Sequence, residues 1–414
     1  MTRVAMLLEN NPYPEDVRVR AEAESLAAAG HGVTVIAPRG QGQPRRETIA
    51  GVRVRRFALP ETPATPVGFL AEYSLANLRL HLGGAAELLR GARVLHLHNP
   101  PDTLFGIGFL ARALGREVVF DHHDLAPELF EAKFGAGSPL LGVLRRCERL
   151  TFGASTLVIA ANESHREIAE TRGGVAAERI VVVRNGPPAA AFAGVGPGRA
   201  GRLESPRLLF LGSLESQDGV DDLIPLLALL REHGLPGAQL TVVGDGSRRP
   251  PLEAAARAAG LGERVRFTGR VPHAEVPALL AAADVCLDPA PCTPLNERST
   301  MIKIAEYMAA QRPIVAFPLL ETKRTAGNAV AYAEPGDLGS FAAAVAALAA
   351  EPERRAALAR AGAERAPALA WAASEERLLG AYAGLAASAA SASPRLIARL
   401  KERRSPRRSS SAAP

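Results

Sequence analysis

Between Pro294 and Val315 the chain reads PLNERSTMIKIAEYMAAQRPIV, the segment richest in residues that can do chemistry. Ser299 or Thr300 suits the N-cap of a helix running to about Ala310. The amide groups of its first turn point outward and carry partial positive charge. Lys303 lies one turn in, a combination that suits a diphosphate. Glu306 follows one turn later on the same face, where a carboxylate accepts two hydroxyl hydrogen bonds such as a ribose donates. A helical salt bridge accounts for the same pair more plainly, at about 0.2–0.5 kcal/mol. The apolar run led by Pro313 follows at once and is expected to orient the N-terminus of the helix toward a cleft.

Other constellations are thinner. Asp121-His122-His123-Asp124 closes an apolar run, at the edge where active-site loops emerge; adjacent loop residues diverge, so one histidine, His123, is expected to line a site. His98 ends a neighbouring run and reads as a core or supporting histidine. None of the nine histidines belongs to a set with metal-ligand spacing, and no metal is expected. Val243-Gly244-Asp245-Gly246 gives a strand and a tight turn that lets a nucleotide approach the backbone. The first strand runs into Glu9-Asn10-Asn11-Pro12-Tyr13-Pro14, with no glycine in the turn, which disfavours a nicotinamide dehydrogenase. Arg18 and Arg20 open the next helix, where they either face an anion or are solvated.

These residues need a scaffold, and the chain supplies one twice. Short Val/Ile/Leu runs alternate with Ala/Leu/Glu/Arg segments of helical period, which predicts two doubly wound, Rossmann-like α/β domains facing a cleft. Expected strands are 3–8, 32–37, 52–57, 94–98, 117–121, 156–160 and 180–183, then 207–211, 239–243, 264–268, 284–287, 313–317 and 329–332. The expected organisation is a domain at 1–185, a Gly/Pro-rich linker at 186–206 and a second domain at 207–365. A helix at 366–385 is expected to return to the first domain, followed by a disordered basic tail at 386–414. Ligands in such sheets bind beyond the carboxyl ends of the strands, where the winding reverses.

The 414 residues are 47% hydrophobic and 22% charged, a soluble globular balance. The formal charge of +6 is local, because residues 395–408 carry seven basic side chains and one acid. No basic face interleaved with aromatics supports nucleic acid as a partner. Three cysteines without paired spacing exclude a disulfide scaffold and a zinc ribbon. Neither a signal peptide nor an 18-residue apolar span is apparent, so a cytoplasmic protein is expected.

Taken together, the chain up to about Ala386 resembles a retaining glycosyltransferase of family 4 with the two-domain GT-B fold. The resemblance rests on Lys303–Ala309 with Arg312–Val315, and on Leu209–Gly212, Asp218–Asp221, Val243–Gly246, Phe267–Val271 and Arg184–Gly186. It implies a nucleotide-diphosphate sugar held mainly by the second domain, an acceptor held mainly by the first, and no metal. It assigns Glu306 to the donor ribose, Arg270 and Val271 to the loop that contacts the base, and His123 to the side of the transferred sugar. Gly212, Ser299, Thr300, Lys303 and Asp245 fall among the donor contacts, with Arg18 and Asn11 on the acceptor side. Chemistry in such enzymes is positioning plus stabilisation of the departing phosphate, which takes the acceptor proton.

Three departures stand out. Arg298 occupies the first acid of the family's Glu-x7-Glu motif, with Glu297 one residue out of register. The family's two phosphate-binding cations are replaced by Ser213 and Asp218, leaving Lys303, Arg298, Arg270 or Arg184 to substitute, of which Lys303 is preferred. The glycine-rich first loop is absent. The Asn-Asn-x-Tyr-Pro, Gln-Asp-Gly-Val-Asp and Ser-Thr-Met-x-Lys features resemble a subgroup acting in cell-surface polysaccharide assembly, which implies a glycan or polyprenyl-linked acceptor at the inner membrane face. Leu140, Leu141, Leu144 and Leu150 with Arg145, Arg146 and Arg149 suit a peripheral membrane contact or an ordinary crossover helix. A nucleotide-sugar epimerase, which needs no acceptor, and a silent binding subunit stay open as alternatives.

Overall fold

The computed structural model describes residues 1–59, 66–135 and 137–385, with backbone only at 66–71 and 133. The tail at 386–414 lies outside the described residues. The strands are β1 (Arg3–Leu7), β2 (Gly32–Pro38), β3 (Arg46–Ile49), β4 (Val52–Phe57), β5 (Val94–His98), β6 (Glu117–His122), β7 (Leu157–Ala160) and β8 (Ile180–Val182). They continue as β9 (Arg207–Leu211), β10 (Gln239–Val243), β11 (Val265–Gly269), β12 (Val285–Asp288), β13 (Ile314–Ala316) and β14 (Val330–Tyr332). All thirteen expected strands form. The additional one, β3, pairs antiparallel with β4 through a turn at Ala50 and Gly51, both at positive φ.

Two sheets result, ordered β3-β4-β2-β1-β5-β6-β7-β8 and β11-β10-β9-β12-β13-β14. The second is parallel throughout. This is the doubly wound α/β architecture. By compactness the described residues divide into a first unit drawn from 1–120, 154–157 and 376–385 and a second drawn from 121–153 and 158–375.

In the first unit, β1 lies between β2 and β5, so the winding reverses beside β1. Residues 371–385 are helical, with Leu378 and Tyr382 buried, and the Tyr382 hydroxyl meets His96 Nδ1 at 2.8 Å.

The second unit shows why its strands are apolar at every position. Leu208 and Phe210 of β9 enter one core with Leu223, Leu227 and Phe341, whereas Leu209 enters another with Ile304, Tyr307 and Met308. Val242 and Val243 of β10 divide the same way, as do Leu287 and Cys286 of β12. Both faces are covered by helices, so alternation of polarity disappears. β9 sits between β10 and β12, which puts the reversal of winding at the carboxyl ends of β9 and β12, beside Gly212 and Asp288.

Candidate active site

The helix Ile302–Ala309 is fixed at that point by Tyr307. Its hydroxyl accepts from the Leu211 amide at 2.9 Å and donates to the Leu287 carbonyl at 3.2 Å, tying the helix to the ends of β9 and β12. Lys303, one turn earlier, is 6% exposed. Its Nζ donates to Asp288 at 3.2 Å and Asp218 at 3.3 Å, and lies 4.6 Å from the centre of the Phe210 ring. Burial opposes its charge, but the two carboxylates outweigh burial and hold the ammonium above the ordinary lysine range. A Cβ on Gly212, whose φ is +151°, would lie 3.1 Å from Lys303 Cε, so glycine keeps the lysine's path open.

Glu306 does not pair with Lys303 as a helical salt bridge would. It is buried at 7% exposure, 3.7 Å from Nε2 of His273. Burial, opposed by Lys303, pushes its carboxyl up to about 7.

The helix start differs from the sequence expectation. The N-cap is Met301, with no side-chain cap bond, and neither Ser299 nor Thr300 takes that role. Ser299 Oγ donates instead to the Leu295 carbonyl, while Thr300 Oγ1 accepts from Asn162 Nδ2 at 2.8 Å. The same Nδ2 donates to the Arg298 carbonyl at 2.9 Å. Asn162 Oδ1 caps the helix Glu163–Thr171 through the His165 amide, so one carboxamide clamps that helix to the 298–300 loop.

A cavity of about 310 Å3 opens at this loop. Ser299, Thr300, Met301 and Ile302 line it with Asp218, His123 and Asp124. Of the two adjacent histidines, His122 is buried against Glu148 at 3.2 Å, and His123 reaches the cavity with Nδ1 2.9 Å from Asp121 Oδ2. The divergence expected of neighbouring loop residues is what separates them.

The remaining site residues lie outside the lining of that cavity. Asp245 is half-buried and accepts from the Gly246 amide at 2.9 Å. The tight turn is demanded by chain crossing, since a Cβ on Gly244 would lie 1.9 Å from the Gly212 carbonyl oxygen. Arg270 is exposed and Val271 half-buried against the core that holds Tyr307. Arg298 turns to Glu128 at 3.8 Å, and Arg184 to Glu321 at 3.7 Å. Glu297 Oε2 accepts from the Leu320 amide at the start of another helix, which removes it as a substitute for the missing acid.

In the first unit, Asn11 is exposed in the loop after β1. Arg18, expected to face an anion on the acceptor side or to be solvated, is a buried side chain 3.3 Å from Glu22. The fold also assembles what spacing did not reveal: Glu22, His96 and His98, all buried, offer ligand atoms within 4.8 Å of one another. Sequence reading passed over Asp288, Asn162, His273 and Tyr307. Asp288 carried a signal, as an acid ending an apolar strand; Asn162 carried one as an N-cap before Glu163.

Known proteins share both halves of the chain. The family described as glycosyl transferases group 1 matches residues 205–351, and the glycosyl transferase 4-like domain matches residues 16–186. Glycogen synthase of Mycobacterium tuberculosis is 31% identical over 358 residues, covering 81% of this chain and 83% of that protein. The chain belongs to the family 4 glycosyltransferases with the GT-B fold. It is a nucleotide-sugar-dependent glycosyltransferase. Sucrose-phosphate synthase from Thermosynechococcus elongatus superposes with a TM-score of 0.73 at 19% identity, covering 94% of this chain and all of that one. Anabaena HepE in complex with UDP-glucose superposes at 0.62 with 18% identity, covering 94% and 100%. At those identities the glycosyltransferase and its neighbours share a fold.

Proposed function

We propose that this glycosyltransferase is a retaining enzyme that moves a sugar from a nucleotide diphosphate to a glycan or lipid-linked acceptor in surface polysaccharide assembly. One observation carries the donor site. The helix Ile302–Ala309 starts at a cavity lined by Asp218, Met301 and Ile302, with Lys303 buried against Asp218 and Glu306 buried one turn further on. In this reading the first-turn amides and Lys303 receive the diphosphate, Glu306 accepts from the ribose, and the loop at Arg270 and Val271 meets the base. The anomeric carbon loses its bond to phosphate oxygen and gains one to the acceptor oxygen on the same face, while the departing phosphate takes the acceptor proton. No metal has a role in that scheme. Catalysis then rests on alignment and on charge held ready for the leaving group. Asp121 holds the Nδ1 side of His123 at the cavity, and in this reading the imidazole stands beside the sugar or acceptor.

Membrane association is supported by exposed Phe134, Leu140 and Val143, with Arg145, Arg146 and Arg149 close in sequence, although Leu141 is buried as in a crossover helix. The donor site is tested by transfer and donor hydrolysis in wild type, Glu306→Ala and Lys303→Ala. Both variants are expected to lose at least about 100-fold in kcat/KM, close to 3 kcal/mol of transition-state stabilisation. Full activity in both would remove the assignment. NMR of the newly formed anomeric linkage decides retention, and incubation with donor alone separates transfer from epimerisation.

A further inference from the structure

The link between the short helical turn Asn296–Arg298 and the helix Ile302–Ala309 is extended, with ψ at 138° in Ser299 and 94° in Met301. Extended backbone outside a sheet has no repeating hydrogen bonds of its own, so side chains fix its course. Two asparagines do so. Asn296, just before the link, donates to the Gln217 and Pro291 carbonyls at 2.8 and 2.9 Å. Asn162, fully buried and part of the cavity lining, holds the link itself.

The Asn162 carboxamide has one orientation open to it. Its acceptor end meets the His165 amide at 2.8 Å and its donor end the Arg298 carbonyl at 2.9 Å, and neither backbone group can exchange roles. The His165 ring therefore donates from Nδ1 to the same oxygen, at 2.8 Å. Thr300 Oγ1 must accept from Nδ2, also at 2.8 Å. A hydroxyl carries one proton and two lone pairs. With one lone pair taken by Asn162, the proton of Thr300 is left to donate, and Thr300 lines the cavity.

We infer that Asn162 is a positioning residue for sugar transfer: it holds residues 298–300 against the helix Glu163–Thr171 and aims the Thr300 hydroxyl proton into the cavity, toward an oxygen of the bound donor. The inference rests on the donor-site reading above. It adds a residue far from the donor helix in sequence, acting through Thr300 and the first-turn amides that Thr300 leads into. A proton aimed before the donor arrives stabilises charge on the departing phosphate with no reorganisation during the reaction. Slack in the link would move that proton and those amides together, so the loss falls on kcat more than on KM.

The test assays the full chain for transfer or donor hydrolysis, with Asn162→Asp and Asn162→Ser. Both replacements can still cap the helix Glu163–Thr171. Serine drops the amide donors, and aspartate sets an oxygen against the Arg298 carbonyl. Both are expected to lose ~10-fold or more in kcat at pH 8, with donor KM within ~3-fold of wild type. As pH falls, the introduced carboxyl takes up a proton and regains a donor. Asn162→Asp should then recover relative to wild type at each pH, while Asn162→Ser stays level, a difference that a merely structural role would not give. Thr300→Val combined with Asn162→Ser should cost little more than the larger single loss. Additive losses, a level pH ratio for Asn162→Asp, or full kcat in that variant overturn this proposal alone. If Asn162→Ser misfolds by circular dichroism, Asn162→Asp and its combination with Thr300→Val carry the test. Failure of UDP, GDP, ADP and dTDP alike to raise the melting temperature, with no donor hydrolysis by wild type, overturns the donor-site reading and this proposal together.

Discussion

Glu306 shows how burial sets a functional group's working range. Its carboxyl, pushed from the usual 4.5 to about 7 by desolvation, is favoured in its neutral form by the folded protein. The stabilisation is fully present below pH 4.5 and is lost as pH rises through about 7. Glu306→Gln should lack that loss, so the wild type should fall relative to the variant by up to about 3 kcal/mol between those limits. Urea melts at intervals from pH 4.5 to 8 measure it; parallel curves for the two proteins would contradict it. With Glu306 on the ribose as proposed, donor binding should run the other way, because an ionised carboxylate would accept both ribose hydroxyls. Affinity should weaken as pH drops below about 7 in wild type and stay flat in the variant.

At the scale of elements, one side chain joins the helix Ile302–Ala309 to two strands. Replacing Tyr307 by Phe deletes the Leu211 and Leu287 hydrogen bonds and leaves a part-buried amide and a buried carbonyl without them. Stability should fall by about 2 kcal/mol. The helix start should also loosen against the cavity, raising donor KM more than it lowers kcat. Denaturant midpoints and a donor titration measure both; an unchanged KM would mean that the tether does not position the site.

The same scale shows what a reader of the sequence can see. Buried parallel strands announce themselves as continuous apolar runs, so all thirteen expected strands form. β3 is RETI, polar and at the sheet edge, and neither period nor composition marks it. Lys303 and Glu306 were visible because a helix places them by its own periodicity. Their partners were not, since Asp218 and Asp288 reach Lys303 only through the order of the strands. The N-cap failed for a related reason. Ser299 and Thr300 suit a cap locally, but the tertiary bond from Asn162 takes the Thr300 hydroxyl and the chain stays extended to Met301.

Over the whole molecule, charge and apolar surface are unevenly placed. Residues 386–414 hold the entire formal excess of +6, which leaves residues 1–385 with none. No helix among the described residues is long and apolar enough to cross a membrane. The membrane attachment proposed above would draw on two sources, the exposed apolar side chains Phe134, Leu140 and Val143 and the basic tail. A cluster of lysines and arginines gains about 1 kcal/mol per charge near an anionic surface, while a few exposed leucines give weak, salt-insensitive binding. A protein ending at residue 385 should keep its melting temperature and its transfer to a soluble acceptor. It should bind anionic vesicles at least ~10-fold more weakly than the full chain at low salt. Raising the salt to about 0.5 M should shrink that gap, because screening shortens the reach of surface charge to a few ångströms. Co-sedimentation with phosphatidylglycerol and with phosphatidylcholine vesicles measures all of this. Equal binding of the two proteins to anionic vesicles would place the attraction on the folded surface, and equal binding to neutral ones would assign it to Leu140 and Val143.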